Sequence, residues 1–276
     1  MNILVTLNAN YIHPLKVMLK SLFLNHPAAS FTIYLMHSSL TEEEVAGIRQ
    51  YIEGNGQRLE VVPIKEDYFA DAPVVKHYSK EMYYRLLAYK FLPEEMERIL
   101  YLDPDILIIN DITELYEMDL SGYLYAAAYH DRASVKEINK LRLKPYEIEA
   151  YYNSGVLLMN LVEQREKIKE ADIFEFVELN RKKLILPDQD IINGLYSKHI
   201  KDIDELIYNF DARFYSYFKL LGKVDMDFVI NRTAILHFCG KKKPWHSNYS
   251  GKFHSLYKHY ERLALRTSSD YAVTKM

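Results

Sequence analysis

Two carboxylates one residue apart, Asp103 and Asp105, are the residues of this chain whose chemistry is easiest to name. They interrupt an apolar run, Ile99-Leu100-Tyr101-Leu102 before and Ile106-Leu107-Ile108-Ile109 after. That pattern reads as a buried strand, a tight connection and a second strand. Bare carboxylates are costly to bury, so the pair belongs where the first strand emerges from the core. Pro104 between them donates no ladder hydrogen bond and biases Asp103 towards extended backbone. Two acidic side chains held at a strand's C-terminal end suit a hard divalent cation, which in turn can hold a substrate's phosphates. An Asp-x-Asp triplet alone also describes an ordinary acidic turn. The apolar flanks and the residues that follow favour a site.

Near the other end, the apolar stretch Ile235-Leu236-His237-Phe238 delivers a histidine and breaks at Gly240. Lys241-Lys242-Lys243-Pro244 and the only tryptophan, Trp245, come next. By itself the basic run is a solvated patch and the histidine a packed one. Taken with the aspartates, His237 can complete a cation's shell, and mixed oxygen and imidazole ligation leans towards Mn²⁺ ahead of Mg²⁺. Lys243 can neutralise a diphosphate. Tyr11 can stack on a base, and Asn8 and Asn10 can offer it polar contacts, although both asparagines are equally ordinary turn residues. Arg85 could reach a phosphate or a carboxylate, or stand as a surface charge. Together these residues describe a nucleoside-diphosphate ligand bridged by a metal.

The elements that would position them alternate. Ile3 to Leu7, Phe31 to His37 and Leu59 to Ile64 read as strands. Between them, Leu15, Met18, Leu19, Leu22 and Phe23 recur at helical spacing behind Pro14, and Thr41-Glu42-Glu43-Glu44 is a capping box for a helix that stops near Gly54. Such alternation predicts an α/β fold with a mostly parallel, doubly wound sheet. Ser79 can cap a helix that runs to Leu92; Tyr123 to Tyr129 and Val156 to Met159 read as further strands; Glu163 to Lys183 is helical and Asp188 can cap a last helix before the histidine strand. Gly155, beside Asn153, allows close backbone approach. There is no G-x-G-x-x-G and no G-x-x-x-x-G-K-[ST], which argues against a dinucleotide or a P-loop nucleotide. Residues 253–266 form an amphipathic helix whose basic face (Lys258, Arg262, Arg266) either docks on the domain or rests on an anionic membrane surface.

Composition narrows the classes further. At 276 residues, 49% apolar and 26% charged, the chain is that of an ordinary globular protein, and a net charge of −3 leaves no electrostatic footprint for nucleic acid. Cys239 is the only cysteine, so no disulfide forms within the chain, which fits a reducing compartment. The N-terminal apolar stretch is too short for a signal peptide, and no apolar run approaches the ~20 residues that span a bilayer. These features point to the cytoplasm.

With these segments in order, the chain resembles the retaining, UDP-sugar-dependent glycosyltransferases of family 8, which adopt the GT-A fold. The resemblance rests on the Asn10-Tyr11 loop, Tyr-Leu-Asp-Pro-Asp at 101–105, Tyr-Asn-Ser-Gly-Val-Leu-Leu-Met-Asn-Leu at 152–161, Pro-Asp-Gln-Asp at 187–190, and His-Phe-Cys-Gly at 237–240 through Lys-Pro-Trp at 243–245. It implies a catalytic domain over residues 1–250 and a helical extension over 251–276. By the resemblance, Asp103, Asp105 and His237 ligate Mn²⁺, Tyr11 stacks on uracil, and Thr6, Asn8 and Asn10 line the base and ribose pocket. Gly240 and Lys243 hold the diphosphate. Arg85, Asn153, Asp188 and Gln189 position the donor sugar, with Asp131 or its neighbour His130 close by. Asn8 stands where members of the family often carry Asp.

A retaining transfer of this kind moves glucose or galactose from UDP-glucose or UDP-galactose to a glycan or lipid-linked glycan, and a lipid-linked acceptor brings the enzyme to the inner leaflet of the membrane. At the position where a carboxylate nucleophile would stand there is an amide, Gln189. Front-face attack follows, with Gln189 steadying an oxocarbenium-like sugar and Asp190 as the reserve nucleophile. Two rivals remain at this point. One is an aspartate-nucleophile phosphotransferase, which would place its motif in the first strand. The other is a non-catalytic nucleotide-sugar or carbohydrate-binding protein of the same fold.

Overall fold

Strands β2 (Thr32–His37) and β3 (Arg58–Pro63), the latter at the edge with Arg58 exposed, lie to one side of β1 (Asn2–Thr6); β1 and its other neighbour β4 (Arg98–Leu102) carry apolar side chains on both faces, and both faces are covered. In β1, Ile3 and Val5 join one core cluster while Leu4 joins another; in β4, Leu100 and Leu102 face the first, Ile99 and Tyr101 the second. A strand buried on two sides has no polar face, which is why these segments read as continuous apolar runs rather than alternating ones. The computed structural model describes residues 1–65, 68, 82–129, 143, 146, 148 and 150–266.

Among the described residues the main sheet has seven strands in the order β3-β2-β1-β4-β7-β6-β8, with β6 at Tyr125–Ala127, β7 at Val156–Asn160 and β8 at Ile200–Asp202. Only β7 runs against its neighbours, pairing antiparallel with both β4 and β6. The fold is therefore α/β with a mostly parallel central sheet, as the alternation predicts.

Helices α1 (Ile12–Asn25) and α2 (Glu42–Gly54) cover one face. The capping box on α2 is formed in full, the Thr41 hydroxyl accepting from the Glu44 amide while the Glu44 carboxylate accepts from the Thr41 amide. The other face is covered by α3 (Met82–Leu86) and by residues of α6 (Glu170–Asn180) and α7 (Pro187–Tyr196), with α4 (Thr113–Glu117) and α5 (Leu161–Lys167) at the sheet's margins.

Several expected boundaries move. The helix expected from Ser79 to Leu92 ends at Leu86, where Leu87 leaves helical backbone and a 3₁₀ turn over Ala88–Lys90 follows; Ser79 lies outside the described residues. The helical stretch from Glu163 to Lys183 is two helices, separated by extended backbone at Ile168 and Lys169. Asp188 is not the cap of α7: Pro187 takes the first helical position and Leu186 precedes it.

Immediately after Pro104 the chain leaves the main sheet, to rejoin it at β6. It enters a second sheet of three strands, β5 (Ile106–Ile108), β10 (Ile235–His237) and β9 (Phe210–Asp211), in which β10 pairs antiparallel with β5 and parallel with β9. A third core cluster holds this sheet to α8 (Glu205–Tyr208), α9 (Tyr215–Leu220), α10 (Met226–Arg232) and α11 (His254–Leu265), through Leu107, Phe210, Phe218, Val229, Leu236, Phe238 and Tyr257. The C-terminal helix α11 is docked on α1, with His13 paired to Glu261 at 2.9 Å and Asn25 Nδ2 donating to the Tyr260 hydroxyl at 2.9 Å. The Asp103-Pro104-Asp105 turn thus lies at the seam between the two sheets. No helix among the described residues is long and apolar enough to cross a membrane.

Candidate active site

The seam is fixed from both sides by backbone. Asp103 N–H donates to the Gly155 carbonyl at the start of β7, and Phe238 N–H donates to the Asp105 carbonyl just beyond β10. Asp103, Asp105 and His237 therefore converge, with ligand atoms all within 4.8 Å of one another. His237 Nε2 is 3.3 Å from Asp105 Oδ1 and 3.9 Å from Asp103 Oδ2. Two carboxylates and an imidazole around one point form a donor set that fits a divalent cation of the Mn²⁺ kind. Gly155 leaves the room they need: a Cβ there would lie 2.4 Å from His237 Cε1 and 2.6 Å from Asp103 Oδ2.

Basic groups answer the acids. Arg85 stacks over the Tyr101 ring at 4.3 Å and bridges two carboxylates, Asp103 Oδ1 at 3.0 Å and Asp188 Oδ2 at 3.3 Å. Its largely covered guanidinium is tied into the cluster and is not a surface charge. The Tyr101 hydroxyl donates to Asp103 Oδ1 at 2.5 Å and lies 3.3 Å from Thr6 Oγ1, and Ser154 Oγ donates to Asp188 Oδ2 at 2.8 Å. Lys243 is hydrogen-bonded to Asp105 and donates to the Phe238 carbonyl. Burial works against an ionised Asp105, but His237 and Lys243 outweigh it and hold the carboxyl well below the ordinary carboxylate range. Burial likewise opposes a charged His237, and Cys239 and Asp105 overcome it. Tyr11 packs edge-on against Trp245 at 5.9 Å, near enough to the same charges that Lys243, Asp105 and Asp103 act on its hydroxyl.

The remaining predicted positions divide. Asn153 lies beside Gln189, its Nδ2 3.4 Å from Gln189 Oε1, and Gln189 is buried. Gly240 has φ +88°, which favours glycine at this turn; a Cβ there would meet Arg213 Nη1 at 2.8 Å, the far end of a half-exposed side chain that can move aside. Asn8 behaves as a turn residue, its side chain accepting from the Asn10 amide, and Asn10 is exposed. Asp190 is fully buried, where its carboxylate accepts from the Tyr151 hydroxyl and from the Ile185 and Leu186 amides. That corrects its expected role as a reserve nucleophile, since those bonds use the carboxylate to anchor the start of α7. Asp131 and His130 lie outside the described residues.

Three residues of the site were not anticipated. Asn209 bonds to both His237 and Asn153, and Asp211 holds Arg213 in a bidentate pair against the Gly240 turn. The short Asn-Phe-Asp stretch that carries the first two has no periodicity to announce a strand.

The family described as "Glycosyl transferase family 8" matches residues 2–249. The chain belongs to that family. This family 8 chain is 26% identical to General stress protein A of Bacillus subtilis, over 94% of its own length and 92% of that protein's. It is 25% identical to a lipopolysaccharide 1,2-glucosyltransferase of Escherichia coli K12, over 89% and 73% of the two chains. Among solved structures, it superposes on the galactosyltransferase LgtC in complex with donor and acceptor sugar analogs with a TM-score of 0.82, at 24% identity over 99% of both chains. Membership makes the family 8 chain a glycosyltransferase and disposes of the phosphotransferase reading.

Proposed function

We propose that this glycosyltransferase moves a hexose, glucose or galactose, from its UDP-sugar to a glycan or lipid-linked glycan acceptor, with retention and with dependence on Mn²⁺. The observation that carries the reading is the Asp103–Asp105–His237 cluster, with Lys243 against it, at the seam where β4 ends. In support of the substrate class, family 8 relatives include the lipopolysaccharide 1,2-glucosyltransferase of Escherichia coli and a lipopolysaccharide 1,3-galactosyltransferase of Salmonella typhimurium.

Asp103, Asp105 and His237 would hold the metal, which when bound supplies positive charge for a departing diphosphate. Tyr11 offers an aromatic face for uracil, with Thr6, Asn8 and Asn10 at the rim of the same β1–α1 loop. Lys243 leaves Asp105 to meet the diphosphate, where its charge favours the leaving group as the glycosidic bond breaks. The glycine at 240 lets the backbone come close to those phosphates. Arg85 keeps Asp188 and Asp103 in place, so that Asp188, Asn153 and Gln189 orient the sugar. An amide oxygen is a poor nucleophile, so Gln189 steadies the cationic sugar from its far side. The acceptor hydroxyl attacks from the near side, passing its proton to the leaving phosphate oxygen.

The test is a panel of UDP-sugars incubated with enzyme and Mn²⁺, without acceptor, and read as released UDP. Release from one donor, lost with EDTA and in Asp105→Ala, is expected. No release from any donor, together with no Mn²⁺-dependent UDP binding, would refute the proposal.

A further inference from the structure

Beyond the metal-facing edge of its ring and its interaction with Cys239, His237 makes a side-chain contact that the scheme above leaves out. Its Nδ1 is 2.8 Å from Oδ1 of Asn209, a buried residue immediately before β9. Which way the Asn209 amide points is decided by a backbone group two links away. The Gly155 N–H donates to Asn153 Oδ1 at 2.9 Å, so that atom must be an oxygen. Asn209 then turns its NH₂ to Asn153 Oδ1, also at 2.9 Å, and its own oxygen to His237. An amide oxygen only accepts, so Nδ1 of His237 carries a proton. In the neutral ring the lone pair is left on Nε2, the atom that faces Asp103 and Asp105.

We propose that Asn209 is a positioning residue that holds His237 in the tautomer whose Nε2 can bind a metal, with its own orientation dictated from Gly155 through Asn153. The proposal rests on the metal reading of Asp103, Asp105 and His237. A free imidazole exchanges its proton between two nitrogens, and a fixed partner on one selects the other as ligand. The same contact fixes the ring's rotation. Asn153 is also the residue beside Gln189, so the amides link the metal ligand to the groups assigned to the donor sugar.

The test is direct Mn²⁺ binding to the intact chain, without nucleotide or acceptor, by titration calorimetry. Asn209→Leu keeps the branched shape, with somewhat more bulk, and removes the acceptor. Asn209→Asp keeps an acceptor for the Nδ1 proton. The Leu variant is expected to bind Mn²⁺ about 10–100-fold more weakly, and the Asp variant, which keeps the acceptor for Nδ1 but sets a second oxygen against Asn153 Oδ1, to lose less. A residue that merely filled space would give the reverse order, since buried Leu would be tolerated and a buried charge would not. Asn153→Asp and Asn153→Leu repeat the comparison one link further along, where Asp still accepts from both Gly155 and Asn209. Undiminished binding by Asn209→Leu, or equal losses in the Leu and Asp variants at either position, overturns the proposal alone. No binding by the unsubstituted chain overturns the metal reading and this proposal with it.

Discussion

Replacing Gly155 by alanine adds one methyl group to the place where the site has least room. The new Cβ would lie 2.4 Å from His237 Cε1 and 2.6 Å from Asp103 Oδ2, where ordinary contact begins at 3.4 Å. The shortfall is 3.4 − 2.4, about 1 Å, at His237 and slightly less at Asp103. Neither neighbour is the loose end of a flexible chain: His237 is pinned at Nδ1 by Asn209, and Asp103 by Tyr101 and Arg85. Overpacking of this kind costs about 1–3 kcal/mol of stability. Two ligands displaced by about 1 Å should lower turnover on the order of 10²-fold. The assay is UDP release at saturating Mn²⁺ beside a Mn²⁺ titration, with thermal unfolding measured on the same sample. Gly47→Ala, in α2 where nothing lies within 4 Å of an added Cβ, is the control and should gain about 0.5–1 kcal/mol. Wild-type Mn²⁺ affinity in Gly155→Ala would refute the claim that this glycine exists to make room for the ligands.

Lys243→Ala should reduce UDP release about 10²–10³-fold, yet bind Mn²⁺ in the absence of nucleotide at least as tightly, because it frees Asp105 of a competing cation. Parallel losses of both would show Lys243 to be structural. Arg213→Met leaves the buried Asp211 carboxylate without its partner and should cost about 1.5–3 kcal/mol at neutral pH, less than a wholly buried pair would lose, because Arg213 is half exposed. Burial alone would raise the Asp211 carboxyl, but Arg213 holds it below the ordinary range. Stability from a depressed carboxyl is complete above its unfolded pKa and is lost as pH falls through the folded value. Urea unfolding at a series of pH values should therefore find the cost of Arg213→Met shrinking in acid; a constant cost would count against the pair. Thr41→Ala breaks the capping box and should lower stability by about 1 kcal/mol without changing turnover, which denaturation and UDP release together check.

The acidic turn was legible in the sequence because burial is written into its neighbours. Apolar residues on both sides of Asp103-Pro104-Asp105 leave few places where two carboxylates can sit, and a strand end is one. The capping box at Thr41 was legible for a local reason, since both of its hydrogen bonds join residues three apart. The second sheet was not. Two of its strands stand in the sequence as apolar runs, at Ile106 to Ile108 and Ile235 to His237, but they pair across more than a hundred residues, and the third, Phe210–Asp211, is too short for any periodicity, so no local signal joins them. Asn209 and Arg213 stayed hidden with it. Asp188 looked like a cap because an acidic residue stands near the helix start, but Pro187 shifts the count by two positions and frees the carboxylate for Arg85 and Ser154.

The pairing of β5 with β10 also sets a sequence of events in time. Asp105 and Lys243 are 138 residues apart, and His237 reaches the aspartates only when β10 has closed on β5. During synthesis, when a chain folds from its N-terminus, both carboxylates exist long before their imidazole and lysine. An unfinished polypeptide has two of the three residues proposed to hold the metal and lacks the lysine proposed to meet a diphosphate. Ligands that recognise the completed seam therefore bind the folded chain and not its precursors. Their occupancy holds the two sheets together, by about 2.7 kcal/mol at a hundred times Kd.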